Sequence, residues 1–279
     1  MAVRIITDST CDLTPEDQKR LNIHVVPLTV NFPDGSYVDG VDITNEQFFE
    51  KLTQCKTLPS TASVAPQAMI DAFKEGLDAG DDIIGIFISS GISGTYQSAC
   101  IAKDTLESDK IHLVDSQNTT IAMALLVVEA AKNRDEGIPA PEIAEHIREL
   151  TPKVRLMALL NTLKYLHKGG RLSLASTVVG EVLGIKPLAS IVDGKVAAIG
   201  KARGIPASFK LILQRTLDEL PDMRYGFAFG QACAPELMEK LIEYLKEPLQ
   251  LTEWISCNIG SIVGSHSGPG AIGFAYVAE

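Results

Sequence analysis

DDIIGIFISSGISGTYQSA, residues 81 to 99, decides how the rest of the chain reads. Ile83 to Ile88 is a short, continuous apolar run rich in β-branched residues, the pattern of a strand buried on both faces of a parallel sheet. Ser89-Ser90-Gly91-Ile92-Ser93-Gly94-Thr95 follows, a loop whose glycines permit unusual backbone angles and whose hydroxyls can hydrogen-bond. From Thr95 onward, Tyr96, Cys100, Ile101 and Leu106 keep helical spacing, which predicts a helix starting at or just after Ser93 or Gly94. A helix N-terminus reached through such a loop suits an anion, phosphate or carboxylate, because unpaired N–H groups and the helix dipole face the guest. A serine there also serves as a plain helix cap, so this stretch alone leaves both roles open.

Working outward, Leu58 to Pro66 (LPSTASVAP) is a second hydroxyl-rich connection running into a helix, with Pro66 in its first turn and Met69, Phe73 and Leu77 at helical spacing. Ser60 or Ser63 could again be simple caps. Ile111 to Val114 is a further buried strand, followed by the polar loop Asp115 to Thr120 and a helix from about Ile121 to Arg134. Val3 to Ile6 reads as a first strand, Thr14-Pro15-Glu16 as the start of a short helix, His24 to Val30 as one second strand, and Phe32 to Gly35 as a turn before a short return strand. Thr44 to Gln47 fits a capping box. The alternation argues for a mostly parallel sheet covered on both faces, which gathers its strand-to-helix loops along one edge where ligands bind.

A helix from Pro141 to about Leu150 ends at Thr151-Pro152, the expected domain boundary. Beyond it the pattern changes. Asp193-Gly194, between Pro187 to Val192 and Lys195 to Ile199, is a strong hairpin signal. Strands are expected at Val154 to Leu160, Tyr225 to Phe229, Leu251 to Ile255 and Gly273 to Val277, with helices at about Ala175 to Leu183, Phe209 to Leu220 and Pro235 to Leu245. The predicted fold is therefore α/β with two domains: residues 1–150, mostly parallel and of α/β/α type, and residues 151–279, α/β with an antiparallel sheet.

At 279 residues and 46% hydrophobic content the chain can bury a large core. It has no apolar run long enough to span a membrane and no signal-like start, which predicts a cytoplasmic protein. A formal net charge of -10 argues against duplex nucleic acid as the main ligand. The five cysteines are scattered without CxxC spacing, so no metal site is expected.

His266 stands in Gly264-Ser265-His266-Ser267-Gly268-Pro269-Gly270, which reads as a loop with little to pack on, and a ligand contact fits such a ring. Ser93 with His266 could alternatively form a serine esterase or acyltransferase, although no GxSxG elbow is present and no carboxylate is marked as a third member. SSGISGT also lacks the lysine of a nucleotide-binding P-loop. Arg171 and Arg203 lie in glycine-flanked loops and suit phosphate or partner contact.

With these pieces assembled the chain resembles the DegV family of bacterial fatty-acid-binding proteins, the carrier subunits of fatty acid kinase. The resemblance runs end to end and rests on IITDST (5–10), VVPL (25–28), PST (59–61), SSGISGTYQSA (89–99), KGGRLS (168–173) and GSHSGPGAIG (264–273). It implies a non-catalytic carrier that encloses one long-chain fatty acid between two domains, with the carboxylate near Thr61, Ser93 and Gly94 and with His266 close by. It implies no cofactor other than the bound lipid. It further implies a separate ATP-dependent kinase that converts the carboxylate to an acyl phosphate for phospholipid metabolism, with Arg171 and Arg203 serving docking or phosphoryl transfer. One departure stands out: where the family commonly has TSQP, this chain has Thr61-Ala62-Ser63-Val64, losing a hydroxyl at 62 and a proline at 64.

Overall fold

The computed structural model describes residues 2–172 and 184–279. Val3–Asp8 (β1) passes through a 3-10 turn to Pro15–Arg20 (α1), whose N-cap is Thr14. Ile23–Val26 (β2), Thr29–Phe32 (β3), Gly35–Val38 (β4) and Asn45–Gln54 (α2) follow, and α2 opens with the expected capping box of Thr44 and Gln47. Ser60–Ala62 (β5), Pro66–Asp78 (α3), Asp82–Phe87 (β6), Thr95–Leu106 (α4), Ile111–Asp115 (β7), Thr120–Asp135 (α5) and Ala140–Leu150 (α6) complete the first half. The second half contains Val154–Leu159 (β8), Lys164–Lys168 (α7), Ile185–Val192 (β9), Lys195–Arg203 (β10) and Gly204–Asp218 (α8). Phe227–Gln231 (β11), Pro235–Lys246 (α9), Trp254–Asn258 (β12), Ser261–Ser267 (α10) and Ile272–Val277 (β13) finish the chain. The helix expected at 175–183 lies outside the described residues.

Three sheets organise these elements. The first is all parallel, in the order β2-β1-β6-β7; the second has six strands, β10-β9-β8-β13-β11-β12; the third is a small antiparallel sheet, β4-β3-β5. The α/β class with one parallel and one largely antiparallel sheet is as expected, apart from β11 and β12, which pair in parallel within the second sheet. Asp193 and Gly194 both take positive φ at the tip of the β9–β10 hairpin, the twist that a two-residue turn between right-handed strands requires.

The expected single strand from His24 to Val30 is two strands in two different sheets. Pro27 has no N–H to continue a ladder, and beyond it the Leu28 N–H donates to Ser9 Oγ at 3.1 Å, so the chain leaves the parallel sheet and joins β4 and β5. α8 starts at Gly204, five residues ahead of the expected Phe209, and β12 starts three residues beyond Leu251.

α5 links the two halves. Its first turns, Ile121 to Val127, are buried on every face between the parallel sheet and the second sheet. Gly230 of β11 and Gly273 of β13 make room for it: a Cβ at either position would lie 2.8 Å or 3.0 Å from the Ile121 side chain. A second apolar cluster joins the small sheet to α2, α3 and α4, and a third lies beneath α8 and α9.

Candidate functional site

The loops that follow β2, β1, β6 and β7 emerge along the C-terminal edge of the parallel sheet, as parallel pairing demands. That edge meets the small sheet and the inner face of the second sheet around a cavity of about 350 Å³. Its walls are mostly apolar: Leu28, Ile88 and Ile92 from the first half, Leu156, Ala158, Ala189, Ile191 and Val196 from the second sheet, Leu166 of α7, and Ile262 and Val263 of α10. Thr61, Ser63, Ser93, Gly94, Arg171 and His266 add a polar group to the same lining. Of the sequence-predicted site residues the structure thus brings Thr61, Ser93, Gly94, Arg171 and His266 together, whereas Arg203 ends β10, exposed and outside the lining.

Thr61 and His266 are in direct contact, with Oγ1 3.1 Å from Nε2. The Ser93 hydroxyl lies 3.1 Å from Thr95 Oγ1 and accepts from the Thr95 N–H at 3.3 Å. Ser93 does not cap α4, since the cap position belongs to Gly94, and neither Ser60 nor Ser63 caps α3, whose cap residue is Ala65. Ser63 borders the cavity beside Gly94: a Cβ on Gly94 would stand 3.5 Å from Ser63 Oγ. Val64 donates its N–H to Thr95 Oγ1 at 3.4 Å and ties the two hydroxyl-rich connections together.

The other serines of the central loop are otherwise engaged. Ser89 Oγ donates to the Gly194 carbonyl at 2.7 Å, fastening the hairpin tip to the loop, and Ser90 Oγ donates to Asp115 Oδ2 at 2.5 Å.

His266 is not in a loop. Residues 261–267 form α10, where Gly264 lets the helix press on Phe48 and Phe49; a Cβ there would come within 2.8 Å of both rings. Two carboxylates distant in sequence hold the start of this helix: Asp12 Oδ1 accepts from the Gly260 N–H at 2.8 Å, and Asp39 Oδ1 accepts from the Ser261 N–H at 3.0 Å and its hydroxyl at 2.6 Å. Burial holds the His266 pKa down at about 4, with the nearby Arg171 charge adding to the effect, so the ring is neutral at pH 7. Its Nδ1 is buried without a partner among the described residues, and Gly169 leaves room for it, since a Cβ there would sit 2.3 Å from that nitrogen.

This geometry does not assemble a serine-histidine dyad. His266 Nε2 is engaged by Thr61 and the Ser93 hydroxyl by Thr95, and no carboxylate among the described residues orients Nδ1. Arg171 is fixed at the cavity through Nη1 to the Gly169 carbonyl at 2.8 Å and Nε to the Ile92 carbonyl at 3.4 Å. Gly169 and the two aspartates were not singled out in the sequence as parts of a site, and the signals available were the paired glycines of KGGR and the acid after Cys11.

An apolar cavity roofed by a hairpin and edged by hydroxyls, an imidazole and a guanidinium defines a small-ligand binding fold of the α/β class. The DegV family model, described as "Uncharacterised protein, DegV family", matches residues 2–279, and the chain belongs to that family. A DegV domain-containing protein of Clostridium perfringens is 36% identical over 281 residues, covering 99% of each chain, and one of Clostridium acetobutylicum is 38% identical over the same length and coverage. Among solved structures, a fatty-acid-binding DegV family protein from Thermus thermophilus superposes with a TM-score of 0.90 at 29% identity, covering 99% of this chain and 100% of that one. DegV of Bacillus subtilis, a fatty acid binding protein, gives 0.86 at 27% identity with both chains fully covered. No helix among the described residues is long and apolar enough to cross a membrane.

Proposed function

We propose that the chain is a non-catalytic carrier that holds one long-chain fatty acid in the cavity and presents its carboxylate to a separate ATP-dependent kinase for conversion to an acyl phosphate. The carrying observation is the Thr61 to His266 contact at the edge of an otherwise apolar cavity. The two halves divide at about residue 150, and the acyl chain lies between them. Burying a methylene is worth about 0.8 kcal/mol, so a long tail supplies on the order of 10 kcal/mol before ordering costs. A charged hydrogen bond adds only about 1.5 to 3 kcal/mol, so the Thr61 and Ser93 hydroxyls chiefly set where the carboxylate sits.

Neutral His266 can donate one hydrogen bond to a carboxylate or to Thr61, and Arg171 supplies the local positive charge. Arg203, away from the cavity, is assigned to the kinase contact rather than to the lipid. The kinase and the acyl phosphate rest on the family resemblance, and the cytoplasmic setting rests on the sequence reading. The relatives from Thermus thermophilus and Bacillus subtilis support the lipid itself.

Gentle-ionisation mass spectrometry of the purified protein tests the reading. A single adduct with the mass of a fatty acid is expected, released on denaturation. Protein that copurifies without lipid and takes none up from a fatty acid mixture would overturn it.

A further inference from the structure

Thr119 and Thr120, at the start of α5, also line the cavity, and both are more than nine-tenths buried. Thr119 occupies the N-cap position of a 16-residue helix, where a threonine hydroxyl ordinarily accepts a first-turn N–H, yet its side chain makes no capping bond. Its Oγ1 has no hydrogen-bond partner among the described residues. Thr120 takes φ of +50°, a conformation that a β-branched residue adopts at a cost and that the surrounding structure must hold. Its hydroxyl is likewise without a partner in hydrogen-bonding geometry and has the Asp12 carboxyl as neighbour, itself left with Oδ2 unpartnered.

Buried hydroxyls in the wall of an apolar space are expensive to leave unpaired, and a saturated acyl chain would seal them behind methylenes. A ligand oxygen would satisfy them. The burial that pushes the Asp12 carboxyl well above the usual carboxylate range penalises any other anion placed beside it, so the complementary group is neutral and able to donate as well as accept.

Resting on the lipid-carrier reading, we infer that the threonine pair at the start of α5 is a second polar subsite that selects acyl chains bearing a hydroxyl group. The carboxylate of such a ligand keeps its place at Thr61 and Ser93, and the chain hydroxyl meets Thr119 Oγ1. Thr119 is then a specificity-determining residue for hydroxy fatty acids.

The test is a calorimetric titration of delipidated protein with palmitic acid and with a positional series of monohydroxypalmitic acids, on the native chain and on T119V and T119S. At least one hydroxy isomer should lose tenfold or more in affinity relative to palmitic acid on T119V and regain it on T119S. Equal affinities of every isomer for the native chain and T119V would overturn the subsite while leaving the carrier intact, because palmitic acid binding is measured alongside. Loss of palmitic acid together with all isomers on the native chain would remove the carrier reading, and the subsite with it.

Discussion

Thr61 Oγ1 and His266 Nε2 meet at 3.1 Å although 205 positions of sequence separate them. The contact joins the small antiparallel sheet to the penultimate element of the chain and places both groups on the cavity. T61V keeps the shape and removes the hydroxyl. We expect a loss of roughly tenfold in fatty acid affinity, equivalent to about 1.4 kcal/mol, with the thermal midpoint little changed. S93A should weaken retention to a similar extent and displace the carboxylate, and full lipid occupancy with full kinase-coupled turnover in S93A would remove Ser93 from the site.

His266 makes stability depend on pH in a definite direction. Its native pKa of about 4 lies below the ordinary 6.5, so between those values the unfolded chain holds more protons than the folded one. Stability from this residue is therefore full above about pH 6.5 and is lost as the pH falls toward 4, by roughly 3 kcal/mol. Buried Asp8 acts oppositely: its native pKa, raised to about 6 by desolvation, favours the fold at low pH and loses that effect as the pH rises through 6. The difference between native protein and H266N isolates the histidine, since Asp8 is common to both. Denaturant titrations at pH 4 and pH 7 should show the native chain losing roughly 3 kcal/mol more than H266N on acidification.

Gly91 lets the hairpin tip close. A Cβ there would lie 2.5 Å from the Gly194 carbonyl oxygen, the atom that accepts from Ser89. G91A should displace the tip, cost about 1 to 3 kcal/mol and accelerate lipid exchange, measured by stopped-flow transfer of a fluorescent fatty acid to vesicles. Unchanged exchange would mean that the hairpin does not gate the cavity.

Asp39 holds the first turn of α10 through Ser261. D39A leaves a buried N–H and a hydroxyl without their acceptor, and a loss of about 2 to 3 kcal/mol is expected in the denaturant midpoint at constant slope.

The two arginines should separate. Arg171 lines the cavity and Arg203 does not, so R203A is expected to hold fatty acid fully while losing tenfold or more in kinase-coupled turnover. R171A should lose in both assays.

What was legible in the sequence was local. The strand of residues 82–87, the loop behind it, the Thr44 capping box and the Asp193-Gly194 turn all follow from patterns a few residues long. What was not legible depends on distant partners. Gly264-Ser265-His266 reads as loop by composition, and becomes helix because Phe48 and Phe49 receive Gly264 while Asp12 and Asp39 hold its first N–H groups. Residues 60–62 read as a connection and become a strand because the chain leaves the parallel sheet at Pro27 and β3 then pairs with them. Ser93 and His266 could be singled out by residue type and Thr61 by the family resemblance, but the choice of Thr61 over Ser93 as the partner of His266 needed the fold.

A crystal structure of the chain loaded with a single fatty acid decides where the carboxylate is held. The carboxylate is expected within hydrogen-bonding distance of the Thr61 and Ser93 hydroxyls, with the acyl chain running between Ile88 and Ala189. A carboxylate at the opposite end of the cavity, or lipid bound elsewhere on the molecule with the cavity left unfilled, would contradict this placement.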